Sequence, residues 1–264
     1  MDMKEQTDRA VEVTGLTVQF GELKAVNNVS FAVNRGEFFG LIGPNGAGKT
    51  TCFNAMTGGI PGATGQITFN GRSVMGKRPM EICYMGISRT YQNIRLFPQM
   101  TALENVQIGL HAIPKYSRLA AALNLPVVRR VEKECMEQAH ALLERFGLED
   151  YAGMTAGNLP YGLQRKLEIA RALATRPQFL LLHEPAAVMN NDECNELVAL
   201  LKKTHRDFDL TTILIEHHMD LVVNLCDRIC VLNVGEVLAN GLPAEIQSDP
   251  AVVKAYLGNR RQRK

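Results

Sequence analysis

The chain has 264 residues, of which 46% are hydrophobic and 21% charged, with a formal net charge of +2. That length and balance fit a globular protein with one large domain or two lobes, and they exclude a strong field toward nucleic acid. No apolar run approaches the roughly 18 residues that a bilayer-spanning helix needs.

The first ten residues, MDMKEQTDRA, lack the apolar stretch of a signal peptide. The basic ending GNRRQRK is short and reads as a solvated tail. Six cysteines (Cys52, Cys83, Cys135, Cys194, Cys226 and Cys230) form no C-x-x-C pair and read as reduced thiols at small core positions.

In chain order, VEVTGLTVQF (11–20) alternates apolar and polar residues, which predicts a half-buried strand. NNVSFAV continues in that style, while GEFFGLIG is continuously apolar and predicts a strand buried on both faces. A glycine-rich loop leads into a helix, KTTCFNAMTGG, and GQITFNG returns as a strand.

From about 97 to 177 the pattern becomes helical: ALENVQIGLHA, then VVRRVEKECMEQAHALLERFGL, then GLQRKLEIARALATR, stopped by Pro177. Alternation then resumes with QFLLL (strand), DECNELVALLKKTH (helix), TTILIE (strand) and MDLVVNLC (helix). DRICVLNVGEVLAN reads as a strand or a hairpin, and AEIQS and PAVVKAYL as short closing helices. The pattern predicts one α/β core interrupted by a helical insertion, hence two lobes.

The segment Gly43, Pro44, Asn45, Gly46, Ala47, Gly48, Lys49, Thr50 fits G-x-x-x-x-G-K-[ST] in full, between a strand and a helix. Glycines let the backbone curl so that N–H groups point inward at phosphate oxygens. The helix N-terminus, which includes Thr51, adds partial positive charge. Lys49 supplies a full charge to the β- and γ-phosphates, and the Thr50 hydroxyl is placed to ligate Mg²⁺.

The order of the remaining elements resembles the nucleotide-binding subunit of an ABC transporter. NLPYGLQRK sits where that family has its LSGGQ signature: Leu159 and Gly162 match, whereas Pro160, Tyr161 and Leu163 depart from it. The resemblance implies a P-loop NTPase core of ABC-ATPase type with an N-terminal antiparallel β region. It implies that the whole chain, 1–264, forms one nucleotide-binding domain, with the helical lobe at about 97–177 inside it.

It also implies roles. Phe20 stacks on adenine, Gln92 reaches the metal and senses the γ-phosphate, Glu184 orients the attacking water, and His217 is the switch histidine. Asn190 contacts the opposite subunit. Plainer readings stand beside these: a strand aromatic for Phe20, a loop amide for Gln92, a helix cap for Asn190, and the adjacent His218 in place of His217.

More finely, the YG of the signature, RTYQNIRLFPQMTALENV, the insertion near 111–135, EPAAVMN, TTILIEH and the closing AYLG resemble the LivG-type subunits of the branched-chain amino acid group. That likeness implies ATP and Mg²⁺ as ligands and a second ABC ATPase subunit, homologous or identical, completing each site. It implies separate transmembrane permease subunits, an indirectly engaged solute-binding protein and no nucleic acid. It places the protein peripherally at the cytoplasmic face of the cell membrane. A soluble ABC protein of translation or DNA repair would show tandem cassettes or a long coiled-coil insertion, and neither is present.

One residue departs sharply. The family places Asp at position 183, in the Mg²⁺ shell; this chain has His183. Mg²⁺ prefers oxygen donors. One missing charge at ~5 Å, with an effective dielectric near ~20, is worth about 3 kcal/mol. Val188 and Asn191 also stand where relatives carry a small residue and Pro. The expectation is an ATPase with reduced turnover. The alternative is a nucleotide-binding regulatory cassette with little or no turnover.

Overall fold

The computed structural model describes residues 9–113 and 116–258. The ends MDMKEQTD and NRRQRK, with most of the basic tail, lie outside the described residues.

The described residues divide into two compact units. One comprises those up to Ile87 and those from Gln178 onward; the other is Ser88–Pro177. The second unit thus takes in residues 88–96 ahead of its first helix, the Tyr91 and Gln92 carbonyls accepting from Arg165.

The first unit contains two sheets. The antiparallel one is built from β1 (Arg9–Phe20), β2 (Leu23–Asn34), β4 (Thr64–Phe69) and β5 (Arg72–Ser73), in the order β2-β1-β4-β5. Its alternating burial follows the period-two pattern of the sequence.

The other contains β3 (Phe38–Ile42), β7 (Phe179–His183), β8 (Thr211–Ile215), β9 (Arg228–Asn233) and β10 (Glu236–Gly241), running β10-β9-β3-β8-β7, and the short strand β6 (Ile87–Arg89) carries the chain from this unit into the second. Strands β3, β7 and β8 are buried along their whole length. Phe38, Phe39, Leu180, Leu181, Leu182, Ile213 and Leu214 each contribute roughly 1.5–3 kcal/mol when fully removed from water. The segment 227–240, open between strand and hairpin in the sequence, is a hairpin: β9 and β10 pair antiparallel around Val234 and Gly235, both at positive φ.

Register places the site. β3 pairs parallel with β8 at Gly40↔Leu214, and β8 with β7 at Leu182↔Leu214 and His183↔Ile215. The carboxyl ends of the three strands therefore lie level, at the edge where open α/β sheets bind ligands.

The second unit holds the helices Ala102–Leu110, Arg118–Ala122, Pro126–Arg145 and Tyr161–Ala174. Thr101 and Glu104 form a capping box at the first. Gly109 lets that helix approach the last one: a Cβ there would lie 2.5 Å from the Arg171 carbonyl oxygen. The short helices Pro79–Tyr84 and Arg118–Ala122 were not legible in the sequence pattern. No described helix is long and apolar enough to cross a membrane.

Candidate functional site

The loop after β3 is a cradle that only glycine allows. Gly43, Gly46 and Gly48 all have positive φ. A Cβ on Gly43 would lie 2.1 Å from the Leu232 carbonyl oxygen, and one on Gly48 would lie 2.5 Å from that of Ala25. The loop is tied down from behind, because Gly235 N–H donates to the Ala47 carbonyl at 3.1 Å. Gly48 then caps the helix Lys49–Met56, so the positive end of that helix faces the loop.

Lys49 folds into this cradle. Its ammonium donates to the carbonyl oxygens of Gly43 (2.6 Å) and Pro44 (3.0 Å). Burial pushes its pKa down to about 8, and the carboxylate of Glu184 opposes that shift. A buried ammonium resting on carbonyls at the positive end of a helix is a ready receiver of phosphate oxygens.

Strands β7 and β8 deliver the rest. His183 ends β7, 1% exposed, with Nε2 sharing a 3.3 Å hydrogen bond with Thr50 Oγ1 and its ring edge-on to Phe53, centroids 5.8 Å apart. Glu184 follows in the left-handed region (φ 47°), its N–H bonded to the Ile215 carbonyl at 2.8 Å. A non-glycine residue held there is strained and is maintained by its surroundings. Its carboxylate Oε1 lies 2.9 Å from His217 Nε2. His218, the adjacent alternative, directs Nδ1 to Glu216 at 3.6 Å instead.

Glu216 escaped the sequence reading. It is 1% exposed and accepts from the N–H groups of Ala186 (3.1 Å), His217 (2.6 Å) and His218 (3.2 Å). One buried carboxylate thus fastens the turn after Glu184 to the segment carrying His217. A Glu directly after an apolar strand, next to two histidines, is the signal that could have found it.

Phe20 ends β1 and is 53% exposed. Asn190 caps the helix Asn191–Asp207, its side-chain oxygen accepting from Glu193 N–H at 3.0 Å. Asn191 is the first residue of that helix, where Pro is well suited, and Val188 has φ 67°, where glycine is at ease. Both departures noted in the sequence therefore fall at backbone positions suited to a small residue and to Pro.

Gln92, Leu159 and Gly162 belong to the second unit. Gln92 is exposed in the segment after Arg89. Leu159 is buried, and Gly162 lies in the first turn of the helix Tyr161–Ala174, with Pro160 as its N-cap.

For a hard divalent cation, the first unit offers the Thr50 hydroxyl and, beside it at the end of β7, an imidazole nitrogen. No group of three or more His, Cys, Asp or Glu able to hold a metal occurs among the described residues. The cradle and Lys49 fit a triphosphate; for Mg²⁺ the donor set fits only in part.

A phosphate cradle at the carboxyl ends of parallel strands, followed by a carboxylate–histidine pair, defines a P-loop nucleotide-binding protein. The chain belongs to the ABC transporter family, whose pattern it matches over residues 26–187; residues 236–261 match the family Branched-chain amino acid ATP-binding cassette transporter.

It is 45% identical over 248 residues to the high-affinity branched-chain amino acid transport ATP-binding protein BraF of Pseudomonas aeruginosa, covering 94% of this chain and 97% of the relative. It is 46% identical over 246 residues to LivG of Salmonella typhimurium, covering 93% and 96%. Among solved structures, it resembles a nucleotide-free ATP-binding cassette of an ABC transporter (TM-score 0.81, 31% identity, covering 94% and 98%). It also resembles a cassette in its ADP conformation (TM-score 0.82, 32% identity, covering 95% and 99%).

Proposed function

We propose that this chain is the ATP-hydrolysing subunit of a branched-chain amino acid importer, with turnover lowered by His183. The observation that carries the hydrolytic reading is the contact of 2.9 Å between Glu184 Oε1 and His217 Nε2, beside the phosphate cradle. The names of its relatives support the transported solute.

The cradle N–H groups and Lys49 hold the β- and γ-phosphates. Glu184 accepts a hydrogen bond from the attacking water and orients it in line with the leaving oxygen. His217 fixes that carboxylate and stands next to the γ-phosphate. Gln92 senses the γ-phosphate, and Leu159 and Gly162 serve the ATP held by a second subunit. Asn190 faces that subunit, and Phe20 stacks on the adenine. Bound Mg²⁺, held through Thr50, would neutralise phosphate charge; His183 brings no negative charge to it. Permeases carry the membrane-spanning part, and a solute-binding protein delivers the amino acid to them. The chain works as a peripheral subunit on the cytoplasmic side.

Glu184→Gln tests the hydrolytic role. Turnover in the reconstituted transporter should fall by about 10²-fold or more, while ATP remains bound. Turnover equal to that of the unaltered chain would remove Glu184 from the reaction. A regulatory cassette with little turnover would show no Glu184-dependent ATPase in the same assay.

A further inference from the structure

In the second unit, one helix grips the segment that carries Gln92. Arg165 is 0% and Glu168 2% exposed, and they form an ion pair at 2.8 Å within the helix Tyr161–Ala174. Arg165 Nη1 donates to the Tyr91 carbonyl at 2.7 Å, and Nη2 donates to the Gln92 carbonyl at 2.9 Å and to the Tyr161 hydroxyl at 3.1 Å. Glu168 Oε1 accepts from the N–H groups of Tyr91 (3.3 Å) and Arg95 (3.1 Å).

The grip continues on both sides. The Arg89 and Arg95 guanidiniums each lie 4.4 Å from the Tyr91 ring centroid. Arg171 donates to the Arg95 carbonyl, and Asn105 accepts from Phe97 N–H at 2.9 Å.

Loop backbone ordinarily finds its partners in water. Here two carbonyls and two N–H groups flanking Gln92 are satisfied by one buried ion pair. Such a pair adds little net stability over apolar residues of similar volume; its best-attested use is to select one arrangement.

We propose that Arg165 and Glu168 are positioning residues for Gln92: they lock its backbone to the helix that follows Leu159, so that Gln92 moves only when that helix moves. This rests on Gln92 taking part in the reaction, as read above. The fork of Arg165 spans two successive carbonyls, and the two oxygens of Glu168 serve the helix and the loop separately, so the backbone is held at Tyr91, Gln92 and Arg95.

The test is a double-mutant cycle in the full chain, assembled with its permeases. Arg165→Met with Glu168→Leu removes both charges and keeps volume; Arg165→Lys keeps the charge but loses the fork, should the apolar pair not fold. Either should lower kcat by about tenfold to a hundredfold with little change in KM for ATP. The loss should vanish when Gln92→Ala is already present. Amide exchange at Tyr91 and Arg95 should speed up by roughly tenfold or more in the apolar pair variant.

An equal loss of kcat with and without Gln92→Ala would overturn the proposal, as would unchanged kcat or unchanged exchange at Tyr91 and Arg95. If Gln92→Ala alone leaves kcat intact, the reading of Gln92 fails and the proposal with it. Exchange then shows separately whether the grip exists.

Discussion

Thr50 Oγ1 and His183 Nε2 lie 3.3 Å apart, and this contact joins the phosphate-loop helix to the end of β7. A carboxylate at the same place would accept from the Thr50 hydroxyl and add a negative charge. The imidazole keeps the hydrogen bond and omits the charge, so the fold holds while the electrostatics change.

Lys49 should make nucleotide binding pH-dependent. With the cradle empty, burial holds its pKa at about 8, whereas bound phosphates favour the charged form. Above pH ~8, binding must therefore take up a proton, and affinity should fall by up to about tenfold per pH unit. Below pH ~7 the ammonium is already charged and this contribution disappears. Titration calorimetry at pH 9, in two buffers of different ionisation enthalpy, should reveal the uptake. Lys49→Ala should abolish both the uptake and most of the affinity.

Val188 is 86% exposed and sits at φ 67°, so its branched side chain strains the backbone without packing against anything substantial. Val188→Gly should stabilise the protein by about 1 kcal/mol, the relieved strain exceeding the added freedom of the unfolded chain. A thermal midpoint raised by about 2–4 °C is the expected reading. A lowered midpoint would show that the valine is accommodated.

Glu216 holds three backbone N–H groups with one buried carboxylate. Glu216→Gln leaves the amide oxygen as an acceptor and turns an N–H₂ toward donors. It should cost about 1–3 kcal/mol of stability and loosen the Glu184–His217 contact. Turnover should fall more than ATP affinity does, read as kcat against Kd for ATP.

Much of this was legible in the sequence, for physical reasons. The phosphate loop could be read because glycine spacing reports backbone curvature directly, as the near contacts at Gly43 and Gly48 show. β3 and β7 could be read because strands buried on both faces become nearly unbroken apolar runs.

What could not be read depends on tertiary partners. Arg165 and Glu168, three apart on a helix, look like a solvated charge pair until the loop from Tyr91 to Arg95 covers them. Nothing in His-Glu-Pro announces that Glu184 takes a left-handed conformation. Residues 88–96 carry no helical periodicity, and they belong to the second unit through their hydrogen bonds to Arg165 and Glu168.

The central claim is that residue 183 governs the metal while the cradle holds the nucleotide. Steady-state ATPase rate of the reconstituted transporter against Mg²⁺ concentration, for the unaltered chain and for His183→Asp, tests it most directly. The account predicts higher turnover for His183→Asp, with the gain largest at low Mg²⁺ and a half-saturating Mg²⁺ concentration lower by up to about a hundredfold. Mn²⁺, which accepts nitrogen donors more readily, should partly rescue the unaltered chain. Superimposable Mg²⁺ curves for the two proteins would contradict the account.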